Sequence, residues 1–127
     1  NDTRVDKVAM ANSGFYTFVD DQIAFPFGTK NMNLSNQRID WFMRLKGGVF
    51  LSDNNTKKID RTLIKTRKAK KQGKNRLDRG TNFFNDLTRL GVERNLPFRW
   101  RYQLVPSGIQ ARNELNLAVS DFLLEDL

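Results

Sequence analysis

The stretch Phe98-Arg-Trp-Arg-Tyr-Gln-Leu104 is the clearest strand signal in the sequence. Apolar and aromatic residues alternate in it with Arg99, Arg101 and Gln103, and residues two apart lie on the same side of a strand. One face is therefore expected to pack against a core. Arg99 and Arg101 should project from the other face, about 7 Å apart. The turn-prone Pro106-Ser-Gly108 then ends the strand.

Helices are predicted on both sides of this strand. Upstream, Thr81 is a plausible N-cap for a helix carrying Phe84, Leu87 and Leu90 on one side, and Pro97 ends it. Downstream, a helix is expected from about residue 109 to 126. Its apolar positions recur at helical spacing and predict a buried stripe of Leu115, Ala118, Val119, Phe122 and Leu123.

The preceding part of the chain predicts a helix followed by a short strand. Ser35 has the character of an N-cap, so residues 36–46 are read as a helix, with Gly47-Gly48 as its stop signal. Val49-Phe-Leu51 is expected to be a short strand. The turn-prone residues 53–55 follow it.

Two further strands are predicted within residues 4–27. Aromatic and β-branched side chains alternate in Gly14–Asp20 and again in residues 23–27. Asp20-Asp21-Gln22 between them suggests a hairpin turn. The resulting order β-β-α-β-α-α-β-α predicts an α+β fold: a single domain over residues 1–127, with an antiparallel or mixed sheet packed against about four helices.

Absent residue types exclude several kinds of chemistry. The chain has no Cys and no His, which excludes disulfides, thiolate metal sites and any Ser-His-Asp or Cys-His system formed by this sequence alone. No cofactor and no metal site are expected. No apolar run approaches a membrane span and no signal-peptide pattern opens the chain, so an intracellular location and no membrane partner are predicted.

The positive charge is concentrated in residues 57–80, here called the basic segment. It holds eleven basic and two acidic residues, a net +9, whereas the whole chain carries +8. A helix is favoured from about 57 to 71, followed by a flexible loop to 80, although a hairpin arm also fits. Such clustering is costly to a compact state unless an anion neutralises it, and nucleic acid does so with release of counterions.

The function predicted from these observations is non-catalytic nucleic-acid binding, to DNA or RNA, in a regulatory, replication-accessory or packaging role. Two alternatives remain open: a structural subunit of a capsid or ribonucleoprotein particle, self-associating through the C-terminal helix, and a metal-dependent nuclease. An enzyme is not favoured. The predicted nucleic-acid contacts are Lys57, Lys58, Arg61, Lys65, Arg67, Lys68, Lys70, Lys71, Lys74, Arg76, Arg79, Arg99 and Arg101.

Overall fold

The computed structural model describes residues 5–53, 60–106, 108 and 110–125. Three strands and four helices lie in this part of the chain. In chain order they are β1 (Lys7–Ala11), α1 (Asn36–Arg44), β2 (Lys46–Ser52), α2 (Arg67–Lys70), α3 (Arg76–Glu93), β3 (Arg101–Val105) and α4 (Ala111–Leu124).

The strands form an all-parallel sheet with β2 in the centre. Met10 of β1 is aligned with Val49 of β2, and Phe50 of β2 with Gln103 of β3. Both connections between neighbouring strands contain helices, as crossovers between parallel strands usually do. The prediction of an α+β fold with an antiparallel or mixed sheet is therefore wrong: the described residues form an α/β fold.

The central strand β2 is buried on both faces. Val49 and Leu51 belong to a core cluster with Phe83 of α3 and Trp100. Phe50, between them in sequence, packs on the other side with residues of α4, among them Phe122. Helices on both faces are the usual environment of a parallel sheet and explain the continuous apolar run of this strand.

The predicted hairpin within residues 14–27 is wrong. This part of the chain is irregular, and the first strand of the sheet, β1, precedes it and pairs with β2. The aromatic residues alternate because they pack against each other and the core: Phe15 lies 5.0 Å from Phe27, and Phe18 meets Phe83 edge-on at 5.4 Å between ring centroids. Aromatic packing, rather than strand pairing, produced the alternating pattern.

The helix predicted after Ser35 is confirmed. The hydroxyl of Ser35 accepts a hydrogen bond from the amide of Arg38 at 3.1 Å, which caps α1. The predicted stop signal at Gly47-Gly48 is wrong, because both glycines lie inside β2. A Cβ at Gly47 would approach the Trp100 ring to 2.3 Å, so the glycine permits close packing of that ring on the strand.

The basic segment does not form the predicted helix. Its first residues, including Lys57 and Lys58, lie outside the described residues. Residues 60–66 are turns and bends, and α2 is only four residues long. The region predicted as a flexible loop contains the beginning of α3, which Asn75 caps by accepting a hydrogen bond from Asp78 N, so the proposed cap at Thr81 lies within the helix.

The last strand and helix are close to their predicted positions. β3 starts at Arg101, so Arg99 precedes the strand instead of sharing a face with Arg101. In α4, Leu115 and Phe122 are buried as expected, whereas Leu123 is 42% exposed. Among the described residues, no helix combines the length and apolarity required to cross a membrane.

Candidate functional site

The carboxyl ends of the three parallel strands meet at one edge of the sheet. In open α/β sheets, ligands bind in the crevice outside this edge. Asn12 follows β1 there, with the backbone in the left-handed region at φ 49°, which Asn tolerates better than most residues. Its backbone N–H donates to Phe50 O at 3.0 Å, and its side-chain oxygen accepts from Ser52 N at 3.2 Å. Asn12 thus joins the ends of β1 and β2.

Arg76, at the start of α3, links this edge to the loop before α2. Its guanidinium donates to the carbonyl of Asn12 at 2.8 Å, to the Asp60 carboxylate at 2.8 Å and to the Thr62 hydroxyl at 2.9 Å. Hydrogen bonds from Thr62 and then from Arg76 lower the pKa of Asp60 to about 2. Arg76 therefore has a structural partner of opposite charge within the chain.

Arg79, one helical turn further along α3, is only 1% exposed. Its guanidinium donates to three backbone carbonyls, those of Gly73 at 2.9 Å, Gly14 at 2.7 Å and Ile64 at 2.9 Å. Burial, and secondarily the positive charge of Arg76, lowers the pKa of Arg79. The fork of N–H donors holds three separate segments together, a task that a single ammonium group does less well.

Gln72 makes a second link between residues 13–34, here called the irregular segment, and the helices. Its side-chain oxygen accepts from Tyr16 N at 2.9 Å, and its side-chain nitrogen donates to Tyr16 O at 2.7 Å. Gln72 O in turn accepts from the side-chain amide of Asn82 at 2.8 Å. The segment carrying residues 14–30 is therefore fixed against α2 and α3 by paired side-chain to backbone hydrogen bonds.

An apolar cavity of about 520 Å³ opens near the carboxyl end of β1. Met10 of the strand, Phe15 and Met32 of the irregular segment, and Ile39 and Trp41 of α1 are among the residues that line it. This space is suited to aliphatic or aromatic groups, because most of its wall is hydrocarbon.

A second cavity, of about 610 Å³, lies between the irregular segment and the helices α2 and α3, and is called the lysine cavity here. Three lysines from two distant parts of the chain line it, together with apolar side chains, amides and two carboxylates. The complete lining is Phe18, Asp20, Gln22, Ile23, Ala24, Phe27, Lys30, Lys68, Lys71, Gln72, Asn82 and Asp86.

The predicted contact residues that the structure describes fall into two groups. Arg76, Arg79 and Arg101 bind other groups of the same chain. Both oxygens of Glu125 accept from Arg101 at 2.8 Å, and the Arg101 guanidinium lies over the Phe122 ring at 4.8 Å. Hydrogen bonding from Arg101 lowers the pKa of Glu125. The exposed members are Arg61, Lys65, Arg67, Lys68, Lys70, Lys71, Lys74 and Arg99.

Among the predicted residues that the structure describes, Lys68 and Lys71 alone line the lysine cavity. Lys30 is not among the predicted contact residues, because it is distant in sequence from the basic segment and reaches the cavity only through the fold. Asn12 and Gln72 were also missed, because their roles depend on contacts between distant segments. An Asn at a strand end, before Ser13-Gly14, was the one local signal of a special backbone conformation.

A metal-dependent nuclease would require carboxylates grouped around a metal ion. Asp40 is bound by Arg94, with 2.6 Å between the carboxylate oxygen and the guanidinium nitrogen. Across the described residues, no group of three or more acidic side chains is arranged to hold a metal ion.

Two solved structures resemble the chain in fold. Poly(aspartic acid) hydrolase-1 from Sphingomonas sp. KT-1 superimposes on 98% of this chain with a TM-score of 0.87 and 24% sequence identity. LpqC, a poly(3-hydroxybutyrate) depolymerase from Bordetella parapertussis, superimposes on 91% with a TM-score of 0.79 and 24% identity. The chain spans only 47% and 40% of the lengths of these proteins. No family model and no curated protein sequence matches it.

These comparisons correct the functional prediction. Both similar structures are hydrolytic enzymes, one a hydrolase and the other a depolymerase. The prediction of a non-catalytic nucleic-acid-binding protein is therefore wrong, as is the prediction that the chain is not enzymatic. Neither similar structure is a nuclease or a capsid or ribonucleoprotein subunit.

Proposed function

We propose that this chain forms part of a hydrolase that cleaves the acyl bonds joining the repeating units of a polymer. The observation that carries the proposal is the fold likeness over nearly the whole chain to poly(aspartic acid) hydrolase-1. The second similar protein, a poly(3-hydroxybutyrate) depolymerase, also acts on a polymer. One polymer is joined by amides and the other by esters, so the shared chemistry is attack on a backbone carbonyl.

The residue types of the chain limit what it contributes to that chemistry. Acyl-bond hydrolysis by a nucleophile triad uses a nucleophile, a histidine base and a carboxylate that orients the base. The sequence contains neither His nor Cys, so a histidine base would come from outside these 127 residues. Asp53 directly follows β2 at the carboxyl edge of the sheet, where the orienting carboxylate could act.

The apolar cavity supports the same proposal from the substrate side. It opens beside the carboxyl end of β1 and is wide enough, at about 520 Å³, for several atoms of an aliphatic repeating unit. Positioning of a flexible polymer against the reacting groups contributes strongly to rate, since it removes the entropy cost of bringing them together. The chain would then act mainly in substrate positioning.

Cleavage by the full-length protein that contains these residues tests the proposal. The protein is incubated with poly(aspartic acid) and with poly(3-hydroxybutyrate), and product length is followed by size-exclusion chromatography. We expect shortening of at least one polymer and a loss of about a hundredfold or more in Asp53→Asn. Asp21→Asn, which removes an exposed loop carboxylate, is the control and should retain activity. No cleavage of either polymer contradicts the proposal.

Two further expectations accompany this function. Self-association through α4 remains a prediction, and sedimentation velocity over a range of concentrations tests it. An intracellular location also remains a prediction, supported only by the sequence, and fractionation of the producing cells tests it.

A further inference from the structure

The lysine cavity gathers more positive than negative charge, since its lining carries three lysines and two carboxylates. Lys68 and Lys71 are three residues apart on α2 and its C-cap, so they lie on the same side of that turn. Lys30 approaches from the irregular segment. All three side chains are exposed, and none forms an ion pair with any residue in the described ranges. Three free ammonium groups around one cavity are suited to an anionic ligand.

The cavity is also built for an aliphatic chain between the charges. Phe18, Ile23, Ala24 and Phe27 contribute its apolar wall. This wall is held in shape by backbone hydrogen bonds, from Phe18 N to Phe27 O at 3.1 Å and from Lys30 N to Ile23 O at 2.8 Å. Gln72, bonded to both backbone groups of Tyr16, fixes α2 against the same segment. The backbone segments that carry the lysines are therefore held in place by hydrogen bonds.

The remaining polar groups of the lining favour a ligand with hydrogen-bond donors. Asp20 and Asp86 are acceptors, and Asp86 is already paired with Arg89 at 2.7 Å. Gln22 and Asn82 carry amide groups that both donate and accept. A polyamide offers backbone N–H groups to these acceptors, whereas a phosphodiester or polyester backbone has none.

We propose that the lysine cavity binds a carboxylate-bearing segment of a polyamide substrate. Its ammonium groups bind the side carboxylates, and its acceptors bind backbone N–H groups. The proposal rests on the proposed function and narrows it, because a neutral polyester leaves the three lysines without partners. It also gives Lys68 and Lys71 of the basic segment a role that does not involve nucleic acid.

Two double variants from the same short region test the proposal. Lys68→Ala/Lys71→Ala removes two cavity lysines. Lys70→Ala/Lys74→Ala removes two exposed lysines that lie outside the lining, so both variants lose the same net charge. Binding of a fluorescently labelled oligo(aspartic acid) to the full-length protein is measured by anisotropy at 0.15 M salt, where long-range attraction is screened beyond about 8 Å.

The proposal expects the cavity variant to raise the Kd about tenfold and the control variant to raise it about twofold or less. Lys30→Ala, from a separate segment, should also weaken binding, about threefold. An oligomer of equal length with amidated carboxylates should bind at least about tenfold more weakly. Equal effects of the two double variants, or equal binding of the amidated oligomer, would overturn the proposal.

A duplex DNA of matched charge separates carboxylate recognition from general attraction of anions. The proposal expects DNA binding to respond equally to the two double variants, and a selective loss in the cavity variant would instead assign the cavity to phosphates and overturn it. Cleavage is not part of this readout. A failure of cleavage contradicts the proposed function alone, whereas equal effects of the two double variants contradict the cavity assignment alone.

Discussion

The two ends of the basic segment use positive charge in opposite ways. Arg76 and Arg79, at its C-terminal end, direct their guanidinium groups inward, to a carboxylate, a hydroxyl and four backbone carbonyls. Lys68 and Lys71, only a few residues earlier, are exposed at a cavity. A planar fork of donors satisfies several acceptors in a fixed geometry, while a compact, strongly hydrated ammonium group stays at the surface. Net charge in a segment therefore does not reveal which cations face a ligand.

Removal of the buried cation should have the largest effect on stability. Arg79→Met keeps much of the side-chain volume but leaves three partly buried carbonyls without their donor. We expect a loss of about 3 kcal/mol in the free energy of unfolding, measured with urea. Arg79→Lys keeps the charge without the fork and should recover only part of the loss. A change below about 1 kcal/mol would show that Arg79 does not hold the three segments together.

Asp60→Asn tests the partly exposed ion pair between Asp60 and Arg76, and should have an intermediate effect on stability. We expect a loss of about 1.5 kcal/mol at pH 7, since a hydrogen bond between charged groups is weakened. The pKa of Asp60 is lowered from 3.8 to about 2, so its stabilising contribution is present above pH 4 and is lost as the pH falls toward 2. The difference between the wild type and Asp60→Asn should therefore shrink over this interval.

Urea unfolding of both proteins at pH 7, 4 and 2 measures that difference. Asp21→Asn, which alters an exposed carboxylate in the loop, serves as the control and should show little difference at any of the three values. If the difference in unfolding free energy between wild type and Asp60→Asn stays constant from pH 7 to pH 2, the Asp60–Arg76 ion pair does not stabilise the fold.

Loss of the cavity lysines should have the smallest effect on stability. Lys68→Ala/Lys71→Ala removes two exposed side chains without ion pairs in the described part of the chain, so the free energy of unfolding should change by about 0.5 kcal/mol or less. Thermal unfolding monitored by circular dichroism measures this, with Lys70→Ala/Lys74→Ala alongside. A loss comparable to that of Arg79→Met would mean that these lysines are structural and would remove the contrast between the two ends of the segment.

Local sequence signals predicted the elements whose apolar pattern agrees with the contacts that they make in the fold. Ser35 identified the start of α1, and the apolar stripe of Leu115 and Phe122 identified the buried side of α4. The run from Val49 to Leu51 indicates β2, whereas Gly47 resembles a helix stop because its close neighbour in the fold, Trp100, is distant in sequence.

The topology could not be derived in the same way. The aromatic alternation around Phe15 and Phe18 is as strong as that of a strand, yet it arises from packing onto Phe83 and Phe27. The β1 strand has a weaker pattern and was missed as a separate element. Strand direction depends on which segments pair. An error in the placement of one strand therefore led to the prediction of an antiparallel or mixed sheet, whereas the observed sheet is parallel.

The sequence predicts only part of the candidate site. The charge excess of the basic segment was visible, and it includes Lys68 and Lys71. The inward direction of Arg76 and Arg79 depends on carbonyls of residues such as Gly14 and Ile64, which no local pattern brings together. A charge count therefore identified a region rich in cations, but not the ligand.

Lysine reactivity measured residue by residue tests the contrast within the basic segment most directly. The full-length protein is acetylated briefly with and without oligo(aspartic acid), and modification at each lysine is quantified by mass spectrometry. The oligomer should protect Lys30, Lys68 and Lys71, while Lys70 and Lys74 should remain reactive. Equal protection of all five lysines, or protection of Lys70 and Lys74 alone, would contradict this contrast.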